Sequence, residues 1–151
     1  MSRAPFQVLV IPFRRAVNND ILYGVFKRSD AEYWQWIAGG GEDLESPIEA
    51  ARRESFEEAG IGRECSFMEL DSSATIPVVG ICGFMWGENV LVVPEYSFGV
   101  EVQQEYPALS HEHTEFKWVD YETARGMLRW DSNRNALWEL NHRLENGRNE
   151  L

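Results

Sequence analysis

The stretch GGGEDLESPIEAARRESFEEAGI, residues 39–61, decides the fold. Ser46-Pro47-Ile48-Glu49 reads as a helix start, with Ser46 as N-cap, Pro47 at the first helical position and Glu49 closing a capping box. Gly60 is placed to end that helix in the left-handed region. The spacing therefore predicts a helix over about 47–59, entered from a Gly39-Gly40-Gly41 loop whose backbone can approach a ligand closely. On this helix Glu54, Glu57 and Glu58 stand at i, i+3 and i+4 and share a face. Like charges at those spacings cost a helix roughly 0.2–0.5 kcal/mol per pair. Two carboxylates about 6 Å apart repel by about 3 kcal/mol at an effective dielectric of about 20. Either the face is merely solvated, or a cation reverses the sign of that repulsion.

Working outward, Phe6–Arg14, Ile21–Arg28 and Tyr33–Ala38 read as strands, with Asn18-Asn19-Asp20 as the turn between the first two. Beyond the helix, Glu64–Asp71, Val78–Phe84, Val90–Val93, Glu95–Val102 and Glu115–Val119 read as further strands. A short helix near Tyr121–Leu128 and a longer one from about Ser132 to Glu145 close the chain. Leu137, Leu140 and Leu144 form the buried stripe of the longer one, and Gly147 is placed to terminate it. The expectation is one mixed α/β domain over residues 1–151.

Composition narrows the function. An apolar fraction of 44% and an aromatic fraction of 13% argue for a packed core and against disorder. A net charge of −11 and a pI near 4.7 disfavour a general nucleic-acid binder, since no basic run offers a footprint for a phosphate backbone. A small phosphorylated ligand stays compatible if metal ions supply the positive charge. The N-terminal apolar run is broken by Pro12 and closed by Arg14 and Arg15, too short for a signal segment or a membrane span. Cys65 and Cys82 make no CxxC pair and no zinc spacing, and read as reduced residues of a cytoplasmic protein.

Gly39, five residues, Glu45, seven residues and Arg53-Glu54-Ser55-Phe56-Glu57-Glu58-Ala59-Gly60-Ile61 together resemble the signature of the Nudix hydrolases, G-x5-E-x7-R-E-U-x-E-E-x-G-U, with U a bulky apolar residue. Every Gly, Glu and Arg position is filled; Ser55 at the first U position is the one departure, and it replaces a packing contact, not a charge. The resemblance implies a three-layer α/β/α sandwich around a mixed sheet, and water attack on a diphosphate linked to another moiety. It implies Mg²⁺, with Mn²⁺ as a substitute, held by Glu57 and Glu58, with Glu54 as a further metal ligand or a catalytic carboxylate. The carbonyl of Ala38 would complete the coordination, and Arg53 and Glu45 would orient the carboxylates. Hard oxygen ligands on one helix face suit such a cation, which keeps several waters and bridges to phosphate oxygens. Which glutamate takes the proton varies within the family and stays open.

Downstream, Ser110-His111-Glu112-His113-Thr114-Glu115-Phe116-Lys117-Trp118 is similar to the S-x-E-H-x-x-F-x-W run of many Nudix enzymes. There Glu112 would be a further metal ligand or the general base, with Glu115 as the fallback. His111 and His113 lack the third partner a transition-metal site needs.

For the substrate, Tyr33-Trp34-Gln35-Trp36, Phe116-Lys117-Trp118-Val119-Asp120 and Trp130-Asp131-Ser132-Asn133-Arg134-Asn135 are similar to segments of the dihydroneopterin triphosphate pyrophosphohydrolases. Trp34 and Trp36 offer flat surfaces for a heteroaromatic ring. Lys27, Arg28, Lys117 and Arg134 are candidate phosphate contacts. Purine triphosphates fit the same description, so a general (d)NTP or modified-nucleotide hydrolase is an alternative, and a non-catalytic module sensing a phosphorylated metabolite is another. The expected partner is a small polyphosphate, with no nucleic acid and no membrane; a homodimer stays open.

Overall fold

The computed structural model describes residues 2–103 and 113–147. Its framework is β1 (Arg3–Arg15), a strand of 13 residues and so about 43 Å long. That length lets it serve two partners along one edge. Residues 13–15 pair antiparallel with β2 (Ile21–Arg28), and residues 3–10 pair antiparallel with a later strand. The other edge of β1 runs parallel to β6 (Val92–Glu101), which pairs with β5 (Phe67–Pro77). On its far side β2 carries β7 (His113–Val119). The result is a seven-stranded mixed sheet.

The Tyr33–Ala38 segment expected as one strand divides in two. Trp34–Gln35, β3, pairs with β2, whereas Ile37–Glu42, β4, pairs with β1. The chain crosses at Trp36 from one strand to the other because β2 has already splayed away from β1 there. Gly39, Gly40 and Gly41, expected as a loop, are thereby recruited into β4, since the vacated edge of β1 offers them hydrogen-bond partners.

Helix α1 (Pro47–Ala59) has the predicted ends. Ser46 accepts from the Glu49 N–H, the Glu49 carboxylate accepts from the Ser46 N–H, and Gly60 takes φ +67°. Its inner side, Ala50, Ala51 and Ala59, covers one face of the sheet at Val8, Val10, Phe26, Ile37 and Phe98. Ser55 is fully buried there, so the small residue fills the packing position. Helices α2 (Tyr121–Met127) and α3 (Asp131–Glu145) cover the other face, where Leu137, Leu140 and Leu144 meet Leu9, Ile11, Phe13 and Tyr23. Two apolar layers on opposite faces make the α/β/α sandwich. Truncating a fully buried leucine of this stripe costs about 2–5 kcal/mol.

Residues 78–84 do not form the expected strand. Val78–Gly80 is one 3-10 turn, and the N–H groups of Ile81, Cys82 and Gly83 all converge on the Val78 carbonyl. Those donors are satisfied locally, so the segment has none to offer a sheet. Among the described residues no helix is long and apolar enough to cross a membrane.

Candidate functional site

Splitting β2 from β4 opens a fork beside β1. A cleft of about 370 Å³ fills it, lined by Arg28 and Gln35 on one side, Ala38–Gly40 on the other, and Arg3, Gln7, Glu54, Gly80 and Ile81 around them. Helix α1 lies under the β4 side of this fork, and Glu54 is the residue of α1 that enters the cleft.

Glu54 fits because Gly39 has no side chain. A Cβ at Gly39 would lie 2.6 Å from Glu54 Oε1 and closer still to Cδ. The signature glycine is therefore a cradle for a carboxylate, and it brings the β4 backbone against the acidic helix.

Arg53 organises the carboxylates. Its Nε and Nη2 donate to the two oxygens of Glu45 at 2.8 and 3.0 Å, and Nη2 also donates to the Gly40 carbonyl at 2.7 Å. Nη1 donates to Oε1 of Glu54 at 2.8 Å and Oε1 of Glu57 at 3.2 Å, and lies 3.5 Å from Glu42. The Glu45 carboxylate also accepts from the Glu42 N–H, tying the loop before α1 to the same cation. The hydrogen bond from Arg53 holds the Glu45 carboxyl below its usual range, and Glu45 in turn pushes the Arg53 guanidinium further up. Glu57 is half exposed, whereas Glu58 is buried at 4% exposure. The three glutamates thus differ in exposure, from half-exposed Glu57 to buried Glu58, and do not make up one solvated face.

Among the described residues no three His, Cys, Asp or Glu side chains already converge as a metal cage. The donor set nevertheless fits a hard divalent cation. Arg53 engages only Oε1 of Glu54 and of Glu57, leaving Oε2 of each for another ligand, and all donors near the cradle are oxygens. Glu112 lies outside the described residues.

The substrate candidates scatter. Arg28 lines the cleft and pairs with Asp30 at 2.6 and 2.7 Å. Trp36 is a correction: it is fully buried, its N–H and Nε1–H donating to Oδ1 and the carbonyl of Asn133, so it has no face to stack on a ring. Trp34 packs with the α3-side core and carries Lys117 Nζ 5.3 Å above its ring. Lys27 pairs with Glu32 at 3.0 Å and Glu115 at 3.6 Å. Arg134 donates to the Leu128 carbonyl and to Asp131, fastening the start of α3. Trp34, Lys27, Lys117 and Arg134 therefore lie outside the lining of the fork, each held by a contact of its own. Sequence reading missed Arg3, Gln7 and Gln35, which do line it. The one available signal was Gln35, a polar residue between two tryptophans.

The chain belongs to the Nudix family: residues 7–138 match the NUDIX domain. It is accordingly a Nudix pyrophosphohydrolase, of a family whose members generally use divalent metals and act on small phosphate substrates. A crystal structure of a Nudix hydrolase from Listeria monocytogenes is 45% identical and superposes with a TM-score of 0.87, covering 96% of this chain and 97% of that one. The E. coli dihydroneopterin triphosphate pyrophosphohydrolase structure is 21% identical with a TM-score of 0.75, covering 93% and 99%. A dihydroneopterin triphosphate diphosphatase from Haemophilus influenzae is 24% identical over 133 residues, 86% of this chain and 83% of its own.

Proposed function

We propose that this protein is a Mg²⁺-dependent hydrolase of dihydroneopterin triphosphate, releasing pyrophosphate and leaving the monophosphate. The observation that carries the reading is the Glu54 carboxylate seated on Gly39 inside a cleft that also holds Arg28 and Arg3. The relatives named for that substrate support the choice of ring and tail.

Glu54, Glu57 and Glu58, with the Ala38 carbonyl, would hold the metal. Bound there, it would neutralise phosphate oxygens and lower the pKa of a water. Arg53 keeps Glu54 and Glu57 from swinging into solvent, and Glu45 keeps Arg53 in place. Arg28 supplies positive charge at the opposite wall and Arg3 supplies more beside Gly40, and a guanidinium can clamp phosphate oxygens in fixed geometry. Holding the tail between the acidic helix and these cations aligns the scissile bond, which is where most of the acceleration of such a reaction arises.

Glu57→Gln tests it. Mg²⁺-dependent pyrophosphate release should fall by about 10²-fold or more while the melting temperature without metal is unchanged. Millimolar Mg²⁺ should raise the melting temperature of the parent and raise that of the variant less. Equal turnover by both proteins at saturating substrate overturns the role of Glu57. A turnover screen over pterin and nucleotide triphosphates ranks the substrates.

A further inference from the structure

Two neighbouring side chains, one of them in the lining of the cleft, lack the partners that burial demands. Gln7 on β1 and Glu95 on β6 are direct cross-strand neighbours in the parallel pair, so their side chains stand on the same face about 4.8 Å apart at the backbone. Glu95 is only 7% exposed, yet its Oε1 has no hydrogen-bond partner. The Ser132 hydroxyl, at the start of α3, serves its carboxylate from one side only. Gln7 Nε2 is likewise buried without a partner, and Gln7 lines the fork cleft. A buried donor and a buried acceptor left unmet side by side are costly. Such groups persist where a bound water, an ion or a ligand completes them, or where they serve the chemistry of a site.

We infer that Gln7 and Glu95 form a donor–acceptor pair that reads the lactam edge of the substrate's heterocycle, a carbonyl oxygen beside a ring N–H. The inference rests on the reading of the fork as the site of a triphosphate hydrolase. Gln7 lies on the same face of the sheet as α3, whereas Glu54 lies on the α1 side, and the cleft passes around the β4 edge between them. A substrate straddling β4 therefore puts its phosphates against Glu54 and its ring against Gln7 and Glu95. Gln7 Nε2 donates to the carbonyl and Glu95 Oε1 accepts from the ring N–H.

The pairing has a sign. Pterin and guanine rings present carbonyl then N–H. Adenine presents an amino group then a bare ring nitrogen, so both contacts become donor against donor and acceptor against acceptor. A site built around buried polar groups rejects such a mismatch strongly.

Guanosine and adenosine nucleotides serve as probes. The parent should bind GMP at least about 30-fold more tightly than AMP in metal-free titration calorimetry, and should show the same preference for GTP over ATP in kcat/KM. Glu95→Met, which keeps the length of the side chain and removes the acceptor oxygen, should reduce the ratio to within about threefold of unity, and Gln7→Leu should do so independently. Parent binding of both monophosphates within threefold, or of neither at millimolar concentration, overturns the inference. So does a preference that survives both substitutions. Turnover of GTP and ATP without preference leaves the hydrolase reading standing and sinks this one. A GMP preference with no turnover of any triphosphate does the reverse.

Discussion

Replacing Gly39 with alanine adds one methyl group to a strand, and the structure predicts that catalysis is lost while the fold survives. Gly39 does not have positive φ, so the backbone itself accepts alanine. The added Cβ would stand 2.6 Å from Glu54 Oε1, against an ordinary contact of 3.4 Å or more. The carboxylate is the free end of a flexible side chain and yields by about 1 Å. That displacement strains the Arg53–Glu54 bond, worth about 1.5–3 kcal/mol for a charge-assisted pair. Lower entropy of the unfolded chain offsets up to about 1 kcal/mol of this. The melting temperature should fall by no more than about 8 °C in a chain of this size. Activity should fall far more, because a misplacement of about 1 Å costs roughly 10²-fold. Gly62→Ala is the matched control: its Cβ would crowd Glu64 just as closely, 2.7 Å from Cδ, but Glu64 is exposed and outside the cleft. Melting curves and pyrophosphate-release kinetics on both variants are the assay. Full activity in Gly39→Ala, or an equal loss in Gly62→Ala, refutes the reasoning.

Arg53→Ala leaves Glu45, Glu54 and the Gly40 carbonyl without their shared donor, and should cost about 2–4 kcal/mol in a denaturant melt; Arg53→Lys should recover less than half, since an ammonium cannot reproduce the fork. Two carboxyls should give opposite pH responses. Glu45 is held below its unfolded value by Arg53, so its contribution is present above a pH of about 4.3 and disappears as pH falls through the depressed folded value; Glu45→Gln should flatten that acid limb in melting curves. Burial raises Glu95, partly offset by Ser132, so stability falls as pH rises from the unfolded value through the folded one, and Glu95→Gln should melt higher than the parent at pH 8 with a gap that narrows toward pH 4. Trp36→Phe deletes the hydrogen bond to the Asn133 carbonyl and should cost about 1–2 kcal/mol while KM stays within twofold; a large rise in KM would return Trp36 to the substrate site.

What the chain sequence settled on its own was local. The capping box, Pro47, and Gly60 in the left-handed region fix where α1 begins and ends, because those signals act within a few residues. The leucine stripe of α3 follows from helical period alone. The spacing from Gly39 through Glu45 to Arg53–Glu58 announced the chemistry, since residues three and four apart on a helix must be neighbours. The long-range choices were not legible. Trp36 and Gln35 are adjacent and both nearly inaccessible, yet one is tied to Asn133, 97 residues away, and the other faces the cleft. That difference comes from the chain crossing between β2 and β1. Arg28 reaches the cleft and Lys27 does not, because neighbouring residues of a strand point to opposite faces and only the sheet decides which face is which. The pairing of Gln7 with Glu95, 88 positions apart, exists only because β1 and β6 run parallel in one particular register. The need to turn the apolar residues of both strands toward the two helix layers sets that register, and a parallel pair has no connecting hairpin that would fix it locally.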